Sequence, residues 1–224
     1  MGTHPPASAG LGGLKCRRMT VVAISAAYGT RSGQIGPKLA QRLQVPFVDR
    51  AIAHRVAGHL DVSVDEAVKH WEPAQRSFLE RMVSAFLGAD TVAPIGPPPD
   101  VVTPEDFREA TERVVLEQAA TGDGVILGRG CVAVLRGDPM VLRVRLTGPV
   151  DRRLAQAVET SGLTESEARD TMKHLDRYHA EYLKQFYGAD IDDPTLYHLA
   201  VDATALDNDA CVSLIVVAAH ALRA

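Results

Sequence analysis

Val21-Val22-Ala23-Ile24-Ser25-Ala26-Ala27-Tyr28-Gly29-Thr30-Arg31-Ser32-Gly33-Gln34-Ile35-Gly36 is the stretch that decides the reading of this chain. Val21 to Ile24 is wholly apolar. A strand covered on both faces has no polar side to show, so it reads as a continuous run rather than an alternation. Tyr28 to Gly33 is turn-like, and beyond it Ile35, Leu39, Leu43 and Val45 recur at roughly helical spacing, with Lys38, Gln41 and Arg42 between them. Strand, glycine-bearing loop and amphipathic helix in this order aim several backbone N–H groups and the positive end of a helix dipole at one point, where a phosphate group would fit. The full phosphate-loop motif G-x-x-x-x-G-K-[ST] is not met. Gly29 and Gly33 are present, but Gln34 and Ile35 follow where Lys and Ser/Thr would stand. By itself the loop also reads as a plain strand-to-helix turn.

The pattern continues on the C-terminal side. Val45-Pro46-Phe47-Val48 predicts a second short strand, and 49–87 reads as helical, broken near Asp61-Val62-Ser63 and at Pro73, with Ser63 and Glu66 as a capping box. Residues 88–104 hold Pro94, Pro97, Pro98 and Pro99 and read as a long surface loop. A helix is predicted from Pro104 to Ala120, with the proline in its first turn. Val125-Ile126-Leu127 is the next buried strand and runs into Gly128-Arg129-Gly130. Val141 to Leu146 is another, followed by Thr147-Gly148-Pro149 and a helix carrying Arg152 and Arg153. Thr164 and Glu167 form a capping box for a helix running to Tyr187. Leu199-Ala200-Val201 is a last strand, closed by Asp202-Ala203-Thr204, and an apolar helix spans Leu206 to Leu222. Strands alternating with helices predict an α/β protein with a parallel sheet covered on both faces.

Composition narrows the function classes. Lys+Arg 24 against Asp+Glu 28 gives a formal net charge of -4, so no broad basic face for nucleic acid is expected and any anion site is local. Cys16, Cys131 and Cys211 are far apart and odd in number, which disfavours a disulfide framework or zinc site and fits a reducing cytoplasm. The longest apolar runs are too short to span a bilayer, so no membrane association is expected. The first eighteen residues, with Pro5, Pro6 and four glycines, read as a disordered tail, and Met19 is a second candidate start. His174 and His179, like His54 and His59, stand five apart, which does not put a pair on one helical face; no protein-ligated metal site is expected.

Two more features bear chemistry. Strand ends in a parallel sheet face the ligand crevice, so Arg129, held between Gly128 and Gly130, is placed to meet an anion there, against the bland reading of a surface arginine in a turn. On the late helix, Lys173, Asp176, Arg177, His179, Glu181 and Lys184 make a polar face, and Lys173 and Arg177 lie one turn apart. They could clamp a transferring phosphate or form an ordinary solvated face.

Together these pieces resemble the cytidylate kinase-like family of P-loop nucleotide kinases. The family stretch I-S-x-x-Y-G-x-G-G-x-x-I-G followed by P-F-x-D corresponds to Ile24 through Gly36 and then Pro46-Phe47-Val48-Asp49. Its G-R-G corresponds to Gly128-Arg129-Gly130. Its later D-x-x-R-x-x-Y-x-x-x-(F/Y)-Y-G corresponds to Asp176, Tyr182, Phe186, Tyr187 and Gly188, with Arg177 shifted by two places, and D-P-x-x-Y to Asp193-Pro194-Thr195-Leu196-Tyr197. The resemblance spans about Met19 to Ala224. It implies a three-layer P-loop kinase fold, a parallel sheet of about five strands flanked by helices, with a helical acceptor-binding insert at about 49–103 and a lid at about 164–195. It implies ATP and Mg²⁺ as donor and cofactor and a nucleoside monophosphate such as CMP as acceptor. Gly29, Thr30, Arg31, Ser32, Gly33 and Gln34 would hold donor phosphates with Arg153, and Asp49, Arg129 and Asp176 would serve the acceptor. Arg31, Arg129, Lys173 and Arg177 would supply catalytic cations, and the Asp202 to Thr204 turn would lie near the donor base. The sequence departs from the family at Arg31-Ser32, where Gly-Gly is usual; Arg31 is a candidate replacement for the absent lysine, and Thr30 or Ser32 for the hydroxyl.

Two other readings stand beside an ATP-dependent kinase. One is a non-catalytic nucleotide-binding module on the same fold. The other is a dinucleotide-dependent oxidoreductase, because Gly128-Arg129-Gly130-Cys131-Val132-Ala133 fits G-x-G-x-x-A with Asp151 about twenty residues on. Asp151, however, is predicted to open a helix rather than to end a strand.

Overall fold

The computed structural model describes residues 20–49, 55, 59 and 104–222. The expected N-terminal tail, the Ser63–Glu66 capping box and the proline-rich stretch lie outside the described residues. The fold is built on five parallel strands in the order β2-β3-β1-β4-β5. These are β1 (Thr20–Ala26), β2 (Phe47–Val48), β3 (Asp123–Leu127), β4 (Val141–Thr147) and β5 (Leu199–Asp202). The helices bounded within the described residues are α1 (Ser32–Leu43), α2 (Pro104–Ala120), α3 (Cys131–Val134), α4 (Val150–Ser161), α5 (Glu165–Tyr187) and α6 (Asn208–Ala221), with a short 3₁₀ turn at Pro194–Leu196.

The period-2 geometry of the strands sorts residues between two faces. From β1, Val21 and Ala23 join a core with α2, α3 and the end of α5. Val22 and Ile24 point the other way, into a core with α1 and α6. On β4, Leu142, Val144 and Leu146 face α1 and α6, which leaves Arg143 and Arg145 on the face toward α2, α3 and α5. Each fully buried Val, Leu or Ile contributes roughly 1.5–3 kcal/mol, which is ample to carry two arginines in the same strand once their polar atoms are paired. The two faces together make three layers, with α1 and α6 on one side and α2, α3 and α5 on the other.

Local signals explain most element ends. Thr164 and Glu167 form the reciprocal capping box at the start of α5, and Gly188 closes that helix in the left-handed region. Asp207 caps α6 through the Ala210 N–H. Helices α4 and α5 pack against each other through Leu154, Ala157, Ala168 and Met172, a small separate cluster that also receives the Tyr28 ring. This hairpin stands over the loop that leaves β1. No helix among the described residues is long and apolar enough to cross a membrane.

Candidate active site

The loop from β1 to α1 enters its helix without a side-chain cap. Thr30 is buried, and its hydroxyl is turned inward to donate to the Ala27 carbonyl at 2.8 Å. Arg31 takes the left-handed conformation (φ 54, ψ 27) at the N-cap. The Gln34 and Ile35 N–H groups fold back to the Arg31 carbonyl at 2.8 and 3.0 Å. Among the described residues nothing accepts from the Ser32 and Gly33 N–H groups. Two unpaired first-turn amides at the positive end of a twelve-residue helix are an anion-binding arrangement. The Ser32 hydroxyl sits beside them, whereas that of Thr30 is held by Ala27.

The loop backbone is gripped from α4 and α5. Arg153, only 7% exposed, donates from Nη1 to Asp176 Oδ2 at 2.6 Å and to the Tyr28 carbonyl at 2.9 Å. Its Nε donates to the Gly148 carbonyl at 3.0 Å. The other Asp176 oxygen accepts from the Tyr28 N–H at 3.0 Å, and Gln156 Nε2 donates to the Gly29 carbonyl at 2.8 Å. Both polar groups of Tyr28 and the carbonyl of Gly29 are therefore fixed by one buried ion pair and one amide. Gly29 has φ +82, and a Cβ there would run into the Arg153 carbonyl. Glycine is required by conformation and by close approach together.

Arg31 lies on the opposite flank. Its Nη2 donates to the Ala203 carbonyl at 2.6 Å and the Leu206 carbonyl at 2.7 Å. The guanidinium thus ties the phosphate-type loop to the β5–α6 turn. Both bonds come from Nη2, and among the described residues Nε is buried with no partner, so the strut leaves part of the guanidinium uncommitted. The turn itself is organised by Asp202 Oδ1, which accepts from the Thr204 N–H and hydroxyl at 2.9 and 2.6 Å. Arg152 Nη1 stands 3.9 Å from Asp202 Oδ2, with 61% of its side chain exposed.

A second centre lies beside the loop, at the end of β3. Register pairs Ile24 with Leu127, so the β1–α1 loop and the Gly128-Arg129-Gly130 turn leave the sheet side by side. All three turn residues have positive φ (73, 58 and 68), and for Arg129 that is an uncommon, strained state. The turn opens onto a cavity of about 70 Å³ lined by Ser25, Arg129, Cys131, Tyr178, His179 and Tyr182, among others. Register sets Arg145 beside Ser25, and Arg145 Nη1 donates to Ser25 Oγ at 2.8 Å. Burial lowers the His179 pKa; Asp176 opposes that, and the charges of Arg145 and Arg129 add to it. Burial pushes the Tyr178 phenol up to about 12 and the Cys131 thiol up to about 12, so the phenol stays a donor and the thiol is inert.

The remaining expected residues are spread around this region. Asp49 follows Val48, which pairs with Ile126, so it lies at the same end of the sheet as Arg129. Lys173 is exposed. Arg177 is exposed as well and pairs with Glu181 at 2.7 Å. The structure brings Gly29 to Gln34, Arg153 and Asp176 together, sets Arg129 in the adjacent turn, and leaves Lys173 and Arg177 on the solvent side of α5. Asp151 is in the first turn of α4 rather than at a strand end. Sequence reasoning passed over Ser25, Arg145, Gln156 and the inward position of His179. Arg145 carried a signal: a charge at an alternate position of a buried strand must find a partner.

A five-stranded parallel sheet in this order, with helices on both faces and a helix-capping loop after its central strand, defines a three-layer kinase fold of the P-loop type. A family model described as the cytidylate kinase-like family matches residues 21–205, and the chain belongs to that family. Among solved structures, an uncharacterized protein from Eubacterium ventriosum ATCC 27560 superposes with a TM-score of 0.65 at 18% identity, covering 91% of this chain and 99% of that one. A shikimate kinase from Bacteroides thetaiotaomicron gives 0.46 at 16% identity, covering 88% and 96%. A deoxyadenosine kinase from M. mycoides gives 0.45 at 12% identity, covering 90% and 99%. No curated protein matches the sequence significantly.

Proposed function

We propose that the protein is an ATP-dependent kinase that passes the γ-phosphoryl group to a nucleoside monophosphate such as CMP. The observation that carries this reading is the adjacency of two anion-suited turns, the Ser32–Gly33 amides after β1 and Arg129 after β3, on strands in direct register. In such a reaction an acceptor oxygen forms a bond to the γ-phosphorus as the bond to the β–γ bridging oxygen breaks, and ADP leaves with that oxygen. The protein contributes in-line positioning and charge compensation rather than covalent chemistry. The Ser32 and Gly33 amides would receive donor phosphates, and Arg152, beside the Asp202 turn, is near the expected donor base. Asp49 and Arg129 would face the acceptor, and Asp176 with Arg153 holds the donor loop in shape. Lys173 and Arg177 would act as lid cations only if α5 turned or closed further. Mg²⁺ is carried mainly by nucleotide phosphates, and the Ser32 hydroxyl is the protein group suited to meet it. The parallel sheet and family membership support kinase-type nucleotide binding; acceptor identity rests on the family resemblance. A coupled assay for ADP across the common nucleoside monophosphates with Mg²⁺ tests the reading, and no ADP formation with any acceptor rejects it.

One observation favours a second reading, nucleotide binding without turnover. Two of the expected cations, Arg31 and Arg153, already hold backbone carbonyls or a carboxylate. Calorimetry would then register ATP binding with no ADP formed.

A further inference from the structure

We propose that the outer face of α6 is the contact through which two copies of this chain pair, the two helices packing antiparallel about a two-fold axis. The pairing does not rest on the kinase reading.

Helix α6 has more apolar surface than its own core covers. Its inner stripe, Cys211, Val212 and Ile215, is buried with side chains of β1, β4 and α1. On the other side Leu214 and Val217 stand 46% and 67% exposed. From Ala210 to Ala219 the sequence holds no charged residue. A surface helix ordinarily turns charged or polar side chains away from its core, and one that is apolar all round is a covered one. Scattered exposed apolar residues are ordinary. These two are neighbours on one face, and Ala210 and Ala221 continue the same stripe at helical spacing. Beside it, α1 shows Lys38, Gln41 and Arg42 to solvent. An apolar centre with a polar rim is the anatomy of a protein–protein contact.

Charge selects a second copy as the occupant. Asp209 is in the first turn of α6 and His220 in its last. They stand close to three full turns apart, so they mark the two ends of one flank of the stripe. In an antiparallel pair with its axis level with Leu214, that flank meets the same flank of its mate in reverse order. Each Asp209 then comes level with the partner's His220, which offers the carboxylate a hydrogen-bond donor and, when protonated, an opposite charge. A parallel pair would set Asp209 against Asp209. Lys38 holds Asp209 at 3.3 Å on this flank, so the carboxylate is already in place. Shape agrees with charge. The two Leu214 side chains meet across the axis, and each Val217 falls between the partner's Ala210 and the partner's Ser213, both small. A contact of this kind is isologous and closed, so it stops at two copies. The first turn of α6 also meets the loop after β1, where Asn208 Nδ2 donates to Gln34 Oε1 at 2.8 Å. Pairing would therefore brace the layer that carries that loop.

Sedimentation equilibrium of the full chain over a range of concentrations reads its mass. The expected result is a reversible dimer. Val217→Asp should abolish it, and Val217→Ala should raise its dissociation constant by roughly tenfold or more, since each truncation counts twice in an isologous contact. Cysteine cross-linking reads the geometry. Leu214→Cys lies at the axis and should form an interchain disulfide under mild oxidation. Ala221→Cys has its mate about 20 Å away along the helices and should not. The wild-type chain oxidised in parallel gives the background, and thermal melts show which variants fold. Should Val217→Asp fail to fold, the cross-linking pair still decides. A wild-type monomer at every concentration overturns the proposal. So does a dimer that persists in folded Val217→Asp, or cross-linking through Ala221→Cys but not Leu214→Cys. A monomer that sediments with phosphatidylcholine vesicles gives the face to a lipid surface and overturns it as well. None of these outcomes depends on ADP formation, so failure here leaves the kinase reading untouched.

Discussion

Arg153 Nη1 lies 2.6 Å from Asp176 Oδ2, and the pair holds both the carbonyl and the N–H of Tyr28. Two residues from different helices thereby set the path of the loop between β1 and α1. Arg153→Ala leaves a half-buried carboxylate unpaired and frees the Tyr28 carbonyl. With the Arg153 and Asp176 side chains 9% and 29% exposed, a loss of about 3 kcal/mol is expected, the low end for breaking a buried pair. Urea unfolding of Arg153→Ala, Asp176→Asn and the double variant checks this. The double variant should cost much less than the sum of the singles.

Gly29 is predicted to tolerate no side chain. Gly29→Ala combines positive φ with a collision against the Arg153 carbonyl carbon, 2.9 Å from the added Cβ. Strain and overpacking of this kind sum to roughly 2–6 kcal/mol. The variant should lose nucleotide binding before it loses secondary structure, which calorimetry and circular dichroism separate. Gly33, with open space around it, is the control: Gly33→Ala should fold normally.

For Arg31, geometry points to a strut between the loop and the β5–α6 turn. Arg31→Ala removes hydrogen bonds to Ala203 and Leu206 and should cost about 2 kcal/mol, typical of bonds to a charged donor. Arg31→Lys keeps the charge but replaces the planar guanidinium with a single ammonium on a flexible stem. If the strut is the main role, lysine recovers little stability and little ATP affinity. Recovery of ATP affinity by lysine, with stability still low, would instead assign Arg31 to the phosphates.

Acid should weaken the fold through two histidines. His198 Nδ1 accepts the Arg143 N–H at 3.1 Å, and burial followed by the Arg143 charge lowers its pKa. Burial lowers that of His179. Both folded values lie below the unfolded value of about 6.5, so the unfolded chain binds more protons in the window between. Stability therefore rises with pH there and falls on acidification from pH 7 toward 5. Urea midpoints for the wild type against His179→Gln and His198→Phe test the sign. The variants should show a shallower dependence, and equal slopes in all three would refute it.

Much of the fold was legible because packing and local chemistry agreed. The runs at Val21–Ile24, Val125–Leu127 and Val141–Leu146 are buried strands, the Thr164–Glu167 capping box opens α5, and Pro104 to Ala120 is a helix. The site was legible where it depends on backbone order: the loop at Gly29 to Gln34 and the Arg129 turn both follow from strand ends. It was less legible where it depends on how a helix is rolled. On α5 the inward stripe is Ala168, Met172, Asp176, His179 and Leu183, which puts Lys173 and Arg177 one position off it. Spacing alone fixes which residues share a face, not which face meets the sheet. The strut made by Arg31 was not legible for a related reason, since the Ala203 and Leu206 carbonyls that hold it are distant in sequence and side-chain patterns do not disclose a backbone acceptor.

The central claim is phosphoryl transfer at the loop after β1. Incubating the protein with Mg²⁺ and ATP labelled on its γ-phosphate, together with each common nucleoside monophosphate, tests it most directly. The account predicts label in one or more nucleoside diphosphates, with CMP among the acceptors, and its loss in Gly29→Ala and Arg129→Ala. Label that stays on ATP, or appears only as inorganic phosphate with every acceptor, would contradict it.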